Sequence, residues 1–289
     1  MHLALLAIVM GGVLPVPSGT EALRRNLFFA MDTCLKPRYP ASDLPTDAQL
    51  DLVHDTGYGG ISWTLGDPTE LRPMLAAARK RKLKLVALYA GATLEPAGLE
   101  PDARLEQAMK ELEGSDTIVW LHIGSRAYSP SSPDGDAAAL AGLRALADAA
   151  ARYRLRIALY PHVGDWLERI QDAVRLVQKV QRKNVGVTFN LCHCLFVGDE
   201  ARIPQLLADA RPHLFVVTLN GADAEAAGSG WNRLIRPLDE GTYDLRPVLR
   251  TLAALKYRGP IGLQGFGVAG DARRNLERSM AAWKRLLEE

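Results

Sequence analysis

The sequence predicts an α/β protein of the (β/α)8 class, the TIM-barrel fold, on three observations. Eight short apolar runs rich in β-branched residues alternate with helical periodicity from residue 26 onward. The alternation is one strand, then one helix, over roughly 260 residues, the size of a single barrel. A doubly wound dinucleotide fold carries a Gly-rich turn after its first strand, whereas the residues here are Asp32-Thr33-Cys34-Leu35-Lys36.

The predicted strands are 27–31, 60–63, 83–89, 117–122, 156–160, 185–190, 214–219 and 261–264. Between and after them, 46–56, 71–81, 104–112, 136–153, 165–181, 245–255 and 271–287 show the 3.6-residue spacing of amphipathic helices. Asp102, Asp165 and Asp244 are read as helix-start caps. Loops 124–135 and 221–241 are long, polar and rich in Gly, Ser and Pro. Both follow a strand and so lie on the ligand-binding face, which makes them lid candidates.

Residues 21–289 read as a single barrel domain with no linker, and residues 1–20 as a signal peptide. The stretch from Leu3 to Leu14 is apolar and leads into Pro15-Val16-Pro17-Ser18-Gly19, although no Lys or Arg precedes it. A membrane span needs about 20 apolar residues. With a signal the mature protein is periplasmic or secreted and free of membrane; otherwise it is cytoplasmic and the segment covers the barrel bottom.

Composition is that of an average globular protein, 48% hydrophobic and 24% charged. With 35 basic and 33 acidic residues the net charge is +2, which gives no electrostatic basis for holding nucleic acid or membrane. The run Arg79-Lys80-Arg81-Lys82 suits the negative end of a helix. The three cysteines include no C-x-x-C pair, so a structural zinc site is not expected. On a strand, His193 would face away from Cys192 and Cys194; a Cys34–Cys194 bridge is left open.

In a parallel α/β protein, ligands bind at the carboxyl ends of the strands. Asp32, Trp63 and Tyr89 finish the first three strands, and His122, His162 and His193 end or follow the next three. Tyr160, Asn190, Thr218 and Gln264 close the last four; Asn220, Asp223, Trp231, Asn232 and Arg236 follow in the seventh loop. Trp63 and Tyr89 offer aromatic faces to a sugar ring. Asp32 is an acid/base group or hydroxyl anchor, and Arg236 can meet a phosphate or carboxylate bidentately. Three imidazoles on neighbouring strands can converge on Zn²⁺. Alternatively one works as general acid or base, since an unperturbed pKa of about 6.5 allows either protonation state. Gly265-Phe266-Gly267-Val268-Ala269-Gly270 matches G-x-G-x-x-G, but no strand follows it as a dinucleotide site requires. It reads instead as a turn whose backbone N–H groups can approach a ligand.

Asn190-x-x-His193 resembles an Asp-x-x-His turn after a sixth barrel strand. The run from Pro237 to Asp244 resembles Pro-Leu-Gly-Glu-Gly-x-x-Asp, and the run from Leu255 to Gln264 resembles Leu-x-x-x-Gly-Tyr-x-Gly-x-Ile-x-x-Glu. On these stretches the chain resembles the xylose-isomerase-like barrels known as sugar phosphate isomerases or epimerases, from about residue 26 to its end. The resemblance implies a divalent metal held by Glu, Asp, His and Glu on the last four strands. Those positions fall at Tyr160, Asn190, about Thr218 and Gln264, all neutral, while the family's substrate-binding histidine is retained as His193. The chain therefore reads as a divergent member with the usual ligands replaced, because a hard divalent ion wants carboxylate charge.

The expected catalytic groups are His193, His162, Asp32 and Tyr160. Substrate is expected to meet Trp63, Tyr89, His122, Asn190, Thr218, Asn220, Arg236 and Gln264. The sequence commits to no cofactor; a divalent metal (Zn, Mn or Mg), if bound, falls to His122, His162 and His193. The partner is a small sugar, and the sequence does not encode the oligomeric state. The expected function is isomerisation or epimerisation by proton abstraction next to a sugar carbonyl. The alternatives are a lyase or hydrolase of oxidised (keto) glycosides and a non-catalytic carbohydrate-binding barrel. A DNA-repair endonuclease of the same superfamily needs a multi-metal cluster and a basic face, and the sequence shows neither.

Overall fold

A computed structural model describes residues 19–36 and 44–288. Residues 1–18 of the stretch read as a signal peptide, its apolar run included, lie outside the described residues. Its last residue, Thr20, opens the 3-10 turn Thr20–Arg25 of the folded body. Thr20 is buried, its Oγ1 donating to the Leu286 carbonyl at 2.8 Å. Asn26 Nδ2 donates to the carbonyls of Tyr257 and Gly259, tying this turn beneath the amino end of the last strand.

The strands are β1 (Phe28–Ala30), β2 (Gly60–Thr64), β3 (Lys84–Glu95), β4 (Gly98–Pro101), β5 (Ile118–Ser125), β6 (Arg156–Leu159), β7 (Val185–Asn190), β8 (Leu214–Leu219) and β9 (Ile261–Leu263). The helices are α1 (Thr46–Asp55), α2 (Leu71–Lys80), α3 (Leu105–Glu111), α4 (Asp136–Arg152), α5 (Ile170–Val180), α6 (Leu191–Phe196), α7 (Ile203–Ala210), α8 (Trp231–Leu234), α9 (Arg246–Ala254) and α10 (Ala272–Leu286). β1 pairs in parallel with both β2 and β9, and β2 pairs with β3, so all strands except β4 close into a parallel barrel. Among the described residues no helix is long and apolar enough to cross a membrane.

Each predicted strand is present, with two departures beyond the ends. β3 runs past Tyr89 to Glu95 and folds back antiparallel on β4, because Leu94 and Leu99, paired across the hairpin, are both buried. β5 likewise continues past His122 to Ser125. The predicted helix from residue 165 begins instead at Ile170. Asp172, not Asp165, accepts the Arg169 N–H at 2.9 Å at that helix start. α5 then buries Ile170, Ala173, Leu176, Val177 and Val180, one helical stripe against the sheet.

Two cores result. The larger lies between barrel and helices. The smaller fills the barrel with inward residues such as Phe29, Ile118, Trp120, Ala158 and Val216. Alternate strand residues point inward, and Gly262 is small because a Cβ there would run into the Phe29 ring.

Candidate active site

At the carboxyl ends of the strands lies a cavity of about 210 Å³. Asp32, Thr33, Thr64, Tyr160, His162, His193 and Gln264 supply its polar lining. Met31, Tyr89, Trp231, Ile235 and Phe266 supply its apolar walls. The expected site residues that reach it are therefore Asp32, Tyr89, Tyr160, His162, His193 and Gln264. Of the two candidate lid loops, only 221–241 contributes lining, through Trp231 and Ile235.

The other expected residues sit elsewhere. Trp63 packs outward on the helix layer, with Lys36 Nζ 5.6 Å from its ring centroid. Strand parity instead turns its neighbour Thr64 into the cavity. Asn190 lies beneath the Tyr160 hydroxyl, and Thr218 is fully buried. Asn220 anchors the seventh loop by donating to the carbonyls of Gly221 at 2.9 Å and Leu234 at 2.6 Å. Arg236 pairs with Asp223 at 3.0 Å and borders a separate void with Cys34 and Gly265. His122 stacks on Tyr89, ring centroids 4.8 Å apart. Thr33, Thr64, Met31, Ile235 and Phe266 line the cavity without having been expected there.

The floor is a chain of neutral hydrogen bonds. Gln264 Oε1 accepts from the Thr33 hydroxyl at 2.6 Å and from the N–H groups of Gly265 and Phe266 at 2.9 and 3.0 Å. With its oxygen so committed, the Gln264 amide nitrogen is the end left to face Tyr160. Asn190 Oδ1 accepts from the Cys192 thiol at 3.2 Å, and its Nδ2 donates to the Tyr160 oxygen. Burial holds the Tyr160 phenol well above its usual pKa, so it stays protonated.

Two histidines, ring centroids 4.4 Å apart, are oriented by the backbone of one residue, Val163. His162 Nδ1 lies 3.0 Å from the Val163 carbonyl, which only accepts; Nδ1 therefore carries hydrogen and Nε2 keeps the lone pair. His193 Nδ1 accepts the Val163 N–H at 3.2 Å, so the neutral ring carries its hydrogen on Nε2. Burial lowers the His162 pKa, with Asp165 opposing and His122 assisting. Burial, reinforced by His162, puts His193 well below the usual value. Both rings are neutral at pH 7.

Asp165, read from the sequence as a cap, lies in the loop after β6 and bonds His122 Nδ1 at 2.8 Å through its carboxylate. The His122 ring fits because residue 91 is glycine: a Cβ there would come within 2.7 Å of Nε2. Asp32 is 2% exposed; its Oδ2 accepts from Lys36 Nζ at 2.6 Å and from the Thr64 N–H at 3.1 Å, so Lys36 balances its charge.

A divalent metal does not fit this donor set. Tyr160 and Asn190 bond to each other, and with Gln264 they carry no carboxylate, which a hard ion requires. Nor do the three histidines offer a ligand set: the Val163 N–H on His193 Nδ1 leaves that ring's hydrogen on Nε2. Among the described residues no three His, Cys, Asp or Glu side chains are grouped to hold a metal ion. Cys192-His193-Cys194 lies on the short helix α6, and all three cysteines are free thiols, so Cys34 and Cys194 form no bridge.

Residues 50–286 match the family described as xylose isomerase-like TIM barrel. No curated protein matches the sequence. Among solved structures, 3-keto-D-glucoside 4-epimerase from E. coli is similar at 18% identity and TM-score 0.67, over 90% of this chain and 99% of that one. D-allulose 3-epimerase from Methylomonas sp. is similar at 15% identity and TM-score 0.70, over 90% and 97%. The probable 3-DHS dehydratase from Bacillus anthracis is similar at 14% identity and TM-score 0.69, over 89% and 98%.

Proposed function

The chain belongs to the xylose isomerase-like TIM barrel family, and from that premise we propose that it is a sugar isomerase- or epimerase-like enzyme. The reaction is proton abstraction from the carbon next to a sugar carbonyl. One observation carries this reading: His162, with its lone pair on Nε2, and His193, with its hydrogen on Nε2, line the same cavity. A neutral imidazole with a depressed pKa is a competent base at pH 7. Structural neighbours that are sugar epimerases support a sugar as substrate.

In the proposed step, His162 Nε2 takes the carbon-bound proton. The C–H electron pair becomes the C=C bond, and the carbonyl π pair moves onto oxygen to give an enediolate. Return of the proton to the neighbouring carbon, with the hydroxyl proton passing between the two oxygens, gives an isomer; protonation of the original carbon from the opposite face gives an epimer. Asp32 and Thr64 hold hydroxyls, while Met31, Trp231, Ile235 and Phe266 keep water from the reacting carbon. Among the described residues no Lys or Arg lines the cavity, which favours an unphosphorylated sugar. The same abstraction followed by loss of a β-substituent makes a lyase of keto glycosides, a second reading that the dehydratase neighbour supports.

The test is deuterium incorporation from D₂O into a panel of ketoses and 3-keto-glucosides, with product analysis by NMR. The expected result is exchange beside the carbonyl, reduced about 10²- to 10⁴-fold by His162→Gln. Sugar binding without exchange in any member of the panel would make the protein a carbohydrate-binding barrel.

A further inference from the structure

We infer that the Tyr160 hydroxyl and the His193 Nε2–H form a two-donor oxyanion site, aimed by Asn190, Gln264 and the Val163 N–H, that supplies the carbonyl polarisation a metal would otherwise provide. The inference rests on the proton-transfer reading above. It follows from counting donors and acceptors. A phenol oxygen has one hydrogen to donate and two lone pairs. Asn190 Nδ2 donates to that oxygen, and the Gln264 amide nitrogen faces it. With Asn190 on its acceptor side, the hydroxyl hydrogen has the cavity, which Tyr160 lines, as its outlet.

The Gln264 amide cannot turn round, because its oxygen is fixed by three donors; the Asn190 oxygen takes the Cys192 thiol hydrogen. Asn190 and Gln264 are therefore positioning residues, at two of the places where the family resemblance expects metal ligands. His193 is fixed in the same sense: the Val163 N–H fills Nδ1 and commits the hydrogen to Nε2. The Tyr160 and His193 rings meet edge to face, centroids 6.0 Å apart, and both line the same cavity. Fixed donors in a site shielded from water stabilise developing oxyanion charge without reorganising during the reaction.

The test compares two probes by calorimetry on wild type and Tyr160→Phe. One is a sugar hydroxamate, whose planar anion resembles an enediolate; the other is the matching neutral polyol. Circular dichroism and a thermal melt establish that the variant is folded. The expected result is hydroxamate binding about 100-fold weaker in Tyr160→Phe, with polyol binding nearly unchanged. In parallel, ¹⁵N spectra of the histidine rings should show His193 protonated on Nε2 and His162 on Nδ1. If the folded variant binds hydroxamate as tightly as wild type, or if His193 is protonated on Nδ1, the oxyanion site is overturned while the sugar-enzyme reading stands. If wild type binds neither probe, the sugar-enzyme reading fails and takes the oxyanion site with it. Gln264→Leu gives an independent check: the hydroxamate-to-polyol affinity ratio should fall, and an unchanged ratio would remove Gln264 from the positioning set.

Discussion

Two layers of the barrel interior, one above the other, have opposite chemistry. In the lower layer Phe29 and Trp120 meet with ring centroids 5.8 Å apart, packed with Ala158 and Val216. In the upper layer the inward groups are Thr64, Tyr160, His162, His193 and Gln264. Tyr160 belongs to both: its ring lies 5.2 Å from that of Trp120, and its hydroxyl joins the polar floor. The difference teaches a division of labour along each strand. Burying apolar volume in the lower layer stabilises the barrel, and in the upper layer neutral hydrogen bonds fix which atoms donate and which accept.

The largest effect should come from breaking the lower layer. Trp120→Ala is expected to cost about 3–5 kcal/mol in denaturant unfolding, because the cavity it leaves is ringed by packed side chains. His162→Gln, in the upper layer, should stay within about 1 kcal/mol of wild type in the same assay. Equal losses for the two would erase the distinction between layers.

Acidity sharpens the comparison next. The base form of His162 must be neutral and its pKa is lowered by burial, so activity should rise with pH through a value below the usual 6.5 or so. Asp165 raises the His162 pKa, so Asp165→Asn should move that acid limb to still lower pH. A shift upward would contradict the electrostatics. Stability should follow the same sign: His162 and His193 have depressed pKa values in the folded state. Their contribution is complete above about pH 6.5 and is lost as pH falls below it. The midpoint of thermal unfolding measured at pH 7 and pH 5 reads this directly.

The smallest expected effect tests strand parity. Thr64→Val should weaken sugar binding several-fold, the equivalent of about 1 kcal/mol for one hydrogen bond. Trp63→Ala should leave affinity unchanged and lower only stability. The reverse pattern would mean that β2 presents its other face to the cavity.

The barrel was legible in the sequence because strand and helix periodicities are one-dimensional signals. So were His162 and His193, since polar residues closing an apolar strand mark its functional end. Trp63 misled because aromatic character was weighed above parity; counting alternation from Ser62 would have selected Thr64. Asp165 looked like a helix cap from its place before an amphipathic stretch, yet its carboxylate bonds His122, more than forty residues away. The β3–β4 hairpin was missed because Leu94 and Leu99 lie apart from any periodic run. The Val163 contacts had no signal at all: a backbone N–H and carbonyl orient the two rings, and every residue type has those groups. Asn190 read as a cavity residue because position alone does not show that its amide is turned to the Tyr160 hydroxyl.

The central claim is that neutral side chains, without a divalent ion, move a proton beside a sugar carbonyl. Its most direct test is solvent deuterium exchange into a keto sugar by protein stripped with a chelator, then supplied in turn with Mn²⁺, Zn²⁺ and Mg²⁺. The account predicts one exchange rate throughout, lost only on His162→Gln. Exchange abolished by the chelator and restored by one of the ions would contradict it.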